Sequence, residues 1–316
     1  MNVRALMAHR LAGLAVVAAI AIALPPFFPS AYYYRVAALV WIFALAAIGL
    51  NLLMGFAGQV SLGHAGFLGI GGYSVAIGPT YFGTPAWLCI LAGAALSGLI
   101  AFLVGRPILR LKGHYLAVAT LGFGVLVTIV LTNEAAWTGG PDGMTVPRLV
   151  LFAWPVRGAA AWYWLAAATF LIGATLALNL SDSPSGRALR AIQDSEIASA
   201  TLGIDVSRQK LAIFVISAIF VSVAGSYLAL FNGHITPDVS GFLRSIELVA
   251  IVVLGGMGSV VGSLVGATVL VVLPQTLTVL HDYEDMVLGL ILMGFMIFLR
   301  QGIVPSLRAM LAERRT

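Results

Sequence analysis

The stretch SDSPSGRALRAIQDSEIASATLGIDVSRQK, residues 181–210, is the long polar interruption in an otherwise apolar chain. It holds eight of the chain's 17 basic and 12 acidic side chains, and apolar runs long enough to cross a bilayer lie on both sides. Ser183 is a predicted N-cap, Pro184 is suited to the first helical position, and Gly203 is suited to ending a helix. The pattern predicts one helix of about five turns over residues 183–202.

The predicted helix presents two different faces. Arg190 and Asp194 are four residues apart on the charged face, a spacing that favours an ion pair. The opposite face consists mostly of small residues, which allow another protein to approach the backbone closely: Ala188, Ala191, Ser195, Ala198 and Leu202. Two interpretations follow from the residues alone, a solvated connector between two spans or a docking element for a second protein.

The composition defines the class of protein. Hydrophobic residues make up 60% of the 316 residues, charged residues make up 9%, and the mean hydropathy is +1.03. Soluble domains are about one-quarter charged, so the sequence predicts an all-α polytopic membrane protein in a lipid bilayer. The net charge of +5 does not indicate a nucleic-acid surface, because the basic residues form no stripe on a soluble domain. A single cysteine, Cys89, excludes an internal disulfide.

Apolar runs of about 20 residues indicate the membrane spans. The first seven predicted spans are residues 11–28, 36–56, 62–78, 86–105, 114–132, 162–180 and 211–231. The loop at 133–161 is the longest on the side opposite the polar stretch. With the amino terminus in the cytoplasm, thirteen of the 17 basic side chains are cytoplasmic, as the positive-inside rule requires.

The apolar run at 246–273 is long enough for one tilted helix. A single crossing, however, places the basic carboxy terminus on the outer side, against the positive-inside rule. Two crossings, with a break in the glycine-rich stretch at 254–259, keep both termini cytoplasmic. With a last span at 286–299, the sequence predicts about ten transmembrane or re-entrant segments. Arg244 then lies on the outer side, and Glu247 lies at the outer interface.

Three glycines after the predicted break are spaced four residues apart: Gly258, Gly262 and Gly266. Such a series of small residues favours close helix packing in lipid. We therefore interpret it as a helix-packing surface, either within the chain or between subunits, in preference to a pore lining.

Polar residues at membrane depth are the main candidates for a functional site, because their burial in lipid is unfavourable. They are Asn51, Gln59, Ser61 and His64, which lie among glycines, and Thr120 in the fifth span. Irregular backbone at this depth is tolerated only where it is buried in protein or lines a cavity. Two roles remain open, hydrogen bonding between helices and a translocation path for a solute.

The outer loop offers a second group of candidates, at its start. Asn133, Trp137, Thr138, Gly139 and Gly140 form either a simple turn or a surface that receives a delivery protein.

Enzyme signatures are missing from the sequence. No GxxxxGK[ST] phosphate loop, HExxH motif or GxSxG motif is present, which argues against ATP hydrolysis by this chain, a metal site or acyl transfer.

Four motifs occur in a fixed order. They are GLNLLMGFAGQVSLGHAGFLGIGGY (49–73), TGGPDGM (138–144), SGRALRAIQDSEIASATLGID (185–205) and LGGMGSVVGSLVGA (254–267). Together they resemble the permease subunits of branched-chain amino-acid ABC importers, specifically the LivM-type members of the LivH/LivM permease family. The resemblance covers residues 37–299. It is less specific for substrate, so a related urea or short-chain amide permease remains the alternative.

The resemblance implies one permease domain over residues 1–316, in a bacterial inner membrane. It implies a second, LivH-like permease as a heterodimer partner, two cytoplasmic ATPases and a periplasmic amino-acid-binding protein. ATP and Mg²⁺ are then used by the ATPases, and this chain carries no cofactor.

The same resemblance assigns the stretch at 181–210 to a cytoplasmic loop that couples the permease to the ATPase. The implied coupling residues are Arg187, Arg190, Asp194, Glu196, Ala198, Ala200 and Gly203. Ile197 and Ser199 depart from the Glu-Ala-Ala pattern typical of such loops. An ion-coupled secondary transporter and a purely structural membrane anchor remain the rivals from other classes.

Overall fold

The computed structural model describes residues 3–111, 113–151 and 154–276, together with 289, 293–294 and 302–306. Described residues form the α-helices α1 (Val3–Ala23), α2 (Ala31–Ala57), α3 (His64–Phe82), α4 (Ala86–Ile108), α5 (His114–Asn133), α6 (Ala135–Thr138), α7 (Ala159–Asp182), α8 (Pro184–Asp194), α9 (Glu196–Thr201), α10 (Val206–Asn232), α11 (Phe242–Gly255) and α12 (Val260–Thr276). They also form the short strands β1 (Met144–Thr145), β2 (Val150–Leu151), β3 (Trp154–Pro155) and β4 (His234–Ile235).

Helix α2 is the centre of the bundle. Every residue from 40 to 57 is buried, and the helix packs against α7, α10, α11 and α12. A helix that is apolar on all sides is stable only when it is surrounded by other helices. Helix α10 packs beside α2 and joins it to α3 and α4. The bundle is therefore built around the α2–α10 pair.

Glycine allows these helices to approach at backbone distance. A Cβ atom on Gly49 would lie 2.7 Å from the Cβ of Phe220 and 2.9 Å from the carbonyl oxygen of Ser217. Such contacts are typical of helix pairs in lipid, where close van der Waals packing replaces the hydrophobic effect as the driving force.

Within the part of the chain that the structure describes, five helices are long and apolar enough to cross a membrane: α2, α4, α5, α7 and α10. Shorter apolar segments lie at Gly13–Phe27 and Val260–Gln275. These spans, in a largely helical chain, define a polytopic membrane protein. The predicted last span, 286–299, lies almost entirely outside the described residues.

The break predicted at 254–259 is present between α11 and α12. Gly256 and Gly258 have φ angles of 109° and 76°. Residues other than glycine rarely adopt this backbone conformation. After the break α12 returns along α2, since Gln275 near its far end accepts a hydrogen bond of 2.6 Å from the Tyr32 hydroxyl at the start of α2. The predicted two-helix arrangement is therefore correct at this point.

The two ends of the bundle differ. The strand end carries the antiparallel pairs β1–β4 and β2–β3 and includes the start of α2 and the end of α10. The contact between these two helices at this end is shown by the Arg35 guanidinium, which lies 5.5 Å from the centre of the Phe231 ring. The opposite end, here called the α8 end, carries α8 and α9.

Helix α3 begins inside the bundle and not at its α8 end. The Nε2 atom of His64, its first residue, lies 2.7 Å from the Ser217 hydroxyl. Ser217 is eleven residues into α10, which places the start of α3 about 16 Å from the α8 end. Residues 58–63 connect α2 to this point without regular structure. The predicted third span, 62–78, is thus a helix that begins near the middle of the bundle.

Candidate functional site

A cluster of polar side chains surrounds the start of α3. His64 is buried, and its two ring nitrogens lie 2.7 Å from the hydroxyls of Ser61 and Ser217. The Thr120 hydroxyl of α5 accepts a hydrogen bond of 3.1 Å from the backbone N–H of Leu62. The structure therefore brings three of the predicted path residues, Ser61, His64 and Thr120, to one place.

Gln59 is a further predicted path residue, on the irregular connection between α2 and α3. It is buried, and among the described residues neither its amide nitrogen nor its amide oxygen has a hydrogen-bond partner. Buried polar atoms are almost always partnered in native proteins. An unpartnered primary amide on the segment that leads to the His64 cluster is therefore available to bind a polar group.

Asn51, the fifth predicted path residue, occupies a different environment. Its amide nitrogen donates bonds of 3.0 Å to the Ser259 carbonyl oxygen and the Ser263 hydroxyl, and its amide oxygen accepts a bond of 2.8 Å from the Gly258 N–H. These three bonds connect α2 to the break between α11 and α12 and to the first turn of α12. The geometry is that of an interhelical hydrogen-bonding residue.

The three predicted packing glycines lie at internal contacts. Gly262 and Gly266 face the backbone of α11 at Gly255 and Ile251. Gly258 lies beside Gly55 of α2. Small residues at these positions let α11 and α12 pack against each other and against α2.

The polar stretch forms two helices and not the single five-turn helix predicted from the sequence. The Ser183 hydroxyl caps α8, accepting a bond of 3.1 Å from the Gly186 N–H, with Pro184 at the first helical position as predicted. Ser195 then adopts an extended conformation and accepts a bond of 3.3 Å from the Ala198 N–H. The prediction missed this break because serine can cap a helix as well as continue one.

The predicted ion pair between Arg190 and Asp194 is not formed. Arg190 instead donates a hydrogen bond of 2.6 Å to the carbonyl oxygen of Ser181, and Arg187 donates one of 2.9 Å to that of Asp182. Free carbonyl groups at the end of α7 attract both guanidinium groups, as helix carboxy termini commonly do. The two arginines therefore fix α8 against α7.

Glu196 forms an ion pair that sequence reasoning missed. Its carboxylate accepts a hydrogen bond from the Lys210 ammonium group, and Lys210 is buried in the first turn of α10. The two residues are 14 positions apart, so no helical spacing indicates the contact. The available signal was Lys210 itself, a charged residue at the start of an apolar span.

Helix α9 ends as predicted, at Gly203. Gly203 has a φ of 83°, and the N–H groups of Gly203 and Ile204 donate to the carbonyl oxygens of Ala200 and Ser199 at 3.0 and 3.1 Å. This is a Schellman motif, which requires a left-handed residue. Around it Ala198, Ala200 and Asp194 are exposed.

Two large aliphatic side chains on this loop face solvent. Ile197 is 77% exposed and Leu202 is 79% exposed. The face predicted to be small is divided, since Ala188 and Ala191 are partly covered by the bundle while Ser195, Ala198 and Leu202 are open. We call the surface formed by Ile197, Ala198, Ala200 and Leu202 the α9 patch. An apolar patch on a polar loop is typical of a protein-binding surface.

The predicted outer docking residues lie at the strand end and separate into two groups. Thr138 and Gly140 are buried, and the Thr138 hydroxyl donates a bond of 2.7 Å to the Leu131 carbonyl oxygen, so they shape the turn. Asn133, Gly139 and Trp137 are exposed. The Trp137 ring packs 5.1 Å from that of Tyr81 and 6.3 Å from that of Phe82.

The fold and the site define a class. A polytopic membrane bundle with helices that begin or break near its middle, around a buried polar cluster, is the architecture of a membrane transport protein. Residues 32–296 match the family described as the permease component of the branched-chain amino acid transport system, and the chain belongs to this family.

Individual relatives agree with the family assignment. The chain is 34% identical to the high-affinity branched-chain amino acid transport system permease protein LivM of Salmonella typhimurium, over 90% of this chain and 73% of LivM. LivM of Escherichia coli K12 matches with the same identity and coverage. LivH of Salmonella typhimurium is 28% identical over 83% of this chain and 91% of LivH. No solved structure matches the chain.

Proposed function

We propose that this chain is one of two permease subunits that form the translocation path of an ATP-driven importer for branched-chain amino acids. The observation that carries the proposal is the family membership, with branched-chain amino acid permeases aligned over 90% of the chain. Two different permeases, LivM and LivH, both resemble this chain. A LivH-like second permease is therefore the proposed heterodimer partner.

The proposed orientation places the α8 end in the cytoplasm and the strand end in the periplasm, across a bacterial inner membrane. The distribution of basic residues supports it, with Arg106, Arg110, Arg187 and Arg190 at the α8 end. Both termini are then cytoplasmic, and the chain has about ten transmembrane or re-entrant segments.

The proposed path passes the cluster at the start of α3. Gln59, Ser61, His64 and Thr120 supply neutral hydrogen-bonding groups to a zwitterionic solute, and the surrounding helices supply apolar walls. Neutral groups bind an amino acid weakly, which suits a path because a passing solute must also be released. Asn51 is committed to the α2–α12 contact and holds this region together.

The α9 patch is the proposed contact with a cytoplasmic ATPase. Ile197 and Leu202 offer the apolar contact, and the Glu196–Lys210 ion pair joins α9 to α10 at a buried side chain. A displacement of α9 by the ATPase is therefore transmitted to a long span that contacts the path at Ser217. Rigid-body movement of this kind is how alternating access is usually produced.

The exposed aromatic cluster of Trp137, Tyr81 and Phe82 is the proposed contact with a periplasmic amino-acid-binding protein. Exposed aromatic side chains are enriched at protein interfaces. In this proposal ATP and Mg²⁺ are used by two partner ATPases, and this chain carries no cofactor of its own.

The energy source can be tested directly in cells that depend on this chain for leucine uptake. Depletion of ATP should abolish uptake of labelled leucine, whereas an uncoupler applied with ATP held constant should leave it within about twofold. Uptake that stops with the uncoupler while ATP remains high would contradict the ATP-driven mechanism and favour an ion-coupled transporter.

A further inference from the structure

Helix α11 carries a charged pair that is not among the residues assigned to the proposed path. Arg244 and Glu247 form an ion pair on adjacent turns, and their side chains are 32% and 50% exposed. The Arg244 guanidinium lies 5.4 Å from the centre of the Phe43 ring. The pair thus lies on the surface of this chain and beside its central helix.

Two independent contacts place the pair near the middle of the bundle. Phe43 is twelve residues from the start of α2 and fourteen from its end, or about 18 and 21 Å along the helix. Ser245, between the two charges, accepts a hydrogen bond of 3.2 Å from the N–H of Ala65 at the start of α3. The sequence-based placement of Arg244 and Glu247 at the outer interface is therefore wrong.

A charged pair at this depth cannot face lipid chains without a large penalty, so it must face a partner subunit or a water-filled cavity. The apolar residues around it are also open. Leu243 and Ile246, on the same helical face as Glu247, are 75% and 41% exposed. The surface therefore combines one positive group, one negative group and aliphatic side chains.

We propose that Arg244 and Glu247 bind the charged head of the α-amino acid while it crosses the membrane. The guanidinium binds the substrate carboxylate through paired hydrogen bonds, and the Glu247 carboxylate accepts hydrogen bonds from the substrate ammonium group. Leu243 and Ile246 contact the branched side chain. This assignment rests on the proposed function, because it requires an amino acid as the substrate.

The Arg244–Glu247 ion pair is itself consistent with this role. When no substrate is present, the two charges neutralise each other, so neither is left unpaired at membrane depth. A zwitterion offers each of them a new partner of opposite sign, and net charge is conserved. Because substrate competes with an existing ion pair, its binding is weak and release is rapid, as a path requires.

The test uses the complete transporter in proteoliposomes, with its second permease, ATPases and binding protein, and compares leucine transported with ATP hydrolysed. Arg244→Gln and Glu247→Gln should each lower leucine transport per ATP at least tenfold, with ATPase stimulation by the loaded binding protein within twofold of wild type. Arg35→Gln is the matched control, because Arg35 also lies over an aromatic ring but at the strand end. It should leave the ratio unchanged.

The charge-exchanged double variant, Arg244→Glu with Glu247→Arg, separates substrate binding from a structural ion pair. The exchanged charges can pair with each other. They place a carboxylate where the substrate carboxylate binds and a guanidinium where the substrate ammonium group binds, so transport should stay low. Full restoration, or loss of the second permease on purification of the single variants, would overturn the proposal and indicate an interface contact. Unchanged transport in all variants would overturn it while the proposed function stands. Failure of wild type to transport any amino acid would overturn both.

Discussion

At the scale of single residues, two buried amide side chains behave in opposite ways. Asn51 uses both of its amide atoms, with partners on the break between α11 and α12. Gln59 uses neither, within the part of the chain that the structure describes. The same chemical group is thus a structural connection at one position and an available binding group eight residues later.

Asn51→Leu should destabilise the protein. It removes the acceptor of the Gly258 N–H and the bonds donated to Ser259 and Ser263, and a buried polar group left unsatisfied costs about 1–3 kcal/mol. We expect a lower melting temperature in detergent and less protein in the membrane. Asn51→Asp keeps the acceptor for Gly258 but places a buried carboxylate oxygen against the Ser259 carbonyl oxygen, so it should also destabilise the protein. Loss of leucine uptake with normal amount and melting temperature of Asn51→Leu would instead indicate a direct role in the path.

Gln59→Leu should have the reverse effect. It removes no hydrogen bond within the described residues and replaces two unsatisfied atoms with apolar ones of similar volume, so stability should be equal or higher. Leucine uptake should fall at least tenfold, because the amide no longer meets the substrate. Uptake and membrane protein are measured on the same cells. Normal uptake would exclude Gln59 from the path.

At the scale of elements, α9 is held rigidly while its outer face is open. The Glu196–Lys210 ion pair and the Schellman motif at Gly203 fix its two ends, and Ile197 and Leu202 remain exposed. A rigid element with an apolar surface can transmit force from a partner to the spans on either side.

Ile197→Asp should impair assembly with the ATPase. It places a charge in the α9 patch without disturbing buried packing, because the Ile197 side chain contacts mainly solvent. We expect at least tenfold less ATPase to co-purify with the permease, with normal membrane insertion. Ile197→Leu is the matched control and should retain the ATPase. Full co-purification with Ile197→Asp would remove α9 from the proposed interface.

Local chemistry explains which elements were predictable. The cap at Ser183, the stop at Gly203 and the break before Val260 each depend on one or two adjacent residues whose backbone preferences are strong. The division of α8 from α9 depends on Ser195, a residue type that can either cap a helix or continue one, and the Glu196–Lys210 pair depends on packing between distant segments. Nothing in the spacing of those residues reports that packing.

At the scale of the whole molecule, depth was the hardest property to predict. Hydropathy indicates which segments enter the membrane, but α3 and α11 begin near the middle of the bundle, at contacts made by His64 and Ser245 with other helices. Consequently the residue types of the polar cluster were predicted, whereas the position of Arg244 and Glu247 was not.

The orientation of the molecule can be tested by cysteine labelling. Cys89, the only cysteine in the sequence, is buried and can be replaced by serine, whose hydroxyl can take the place of the thiol that contacts the Thr84 hydroxyl. In that background, Ala200→Cys at the α8 end should react with an impermeant maleimide only in inside-out vesicles. Trp137→Cys at the strand end should react only in right-side-out spheroplasts. The opposite pattern would reverse the proposed orientation.

The central claim, that this chain forms the path for branched-chain amino acids, is tested most directly by uptake of labelled leucine. The measurement compares cells lacking the chain with the same cells complemented by it, with excess unlabelled valine, isoleucine, phenylalanine or urea as competitor. Uptake should return with the chain and should be blocked by valine and isoleucine but not by urea. Leucine uptake that is indifferent to the chain, with urea or amide uptake that depends on it, would contradict the substrate assignment.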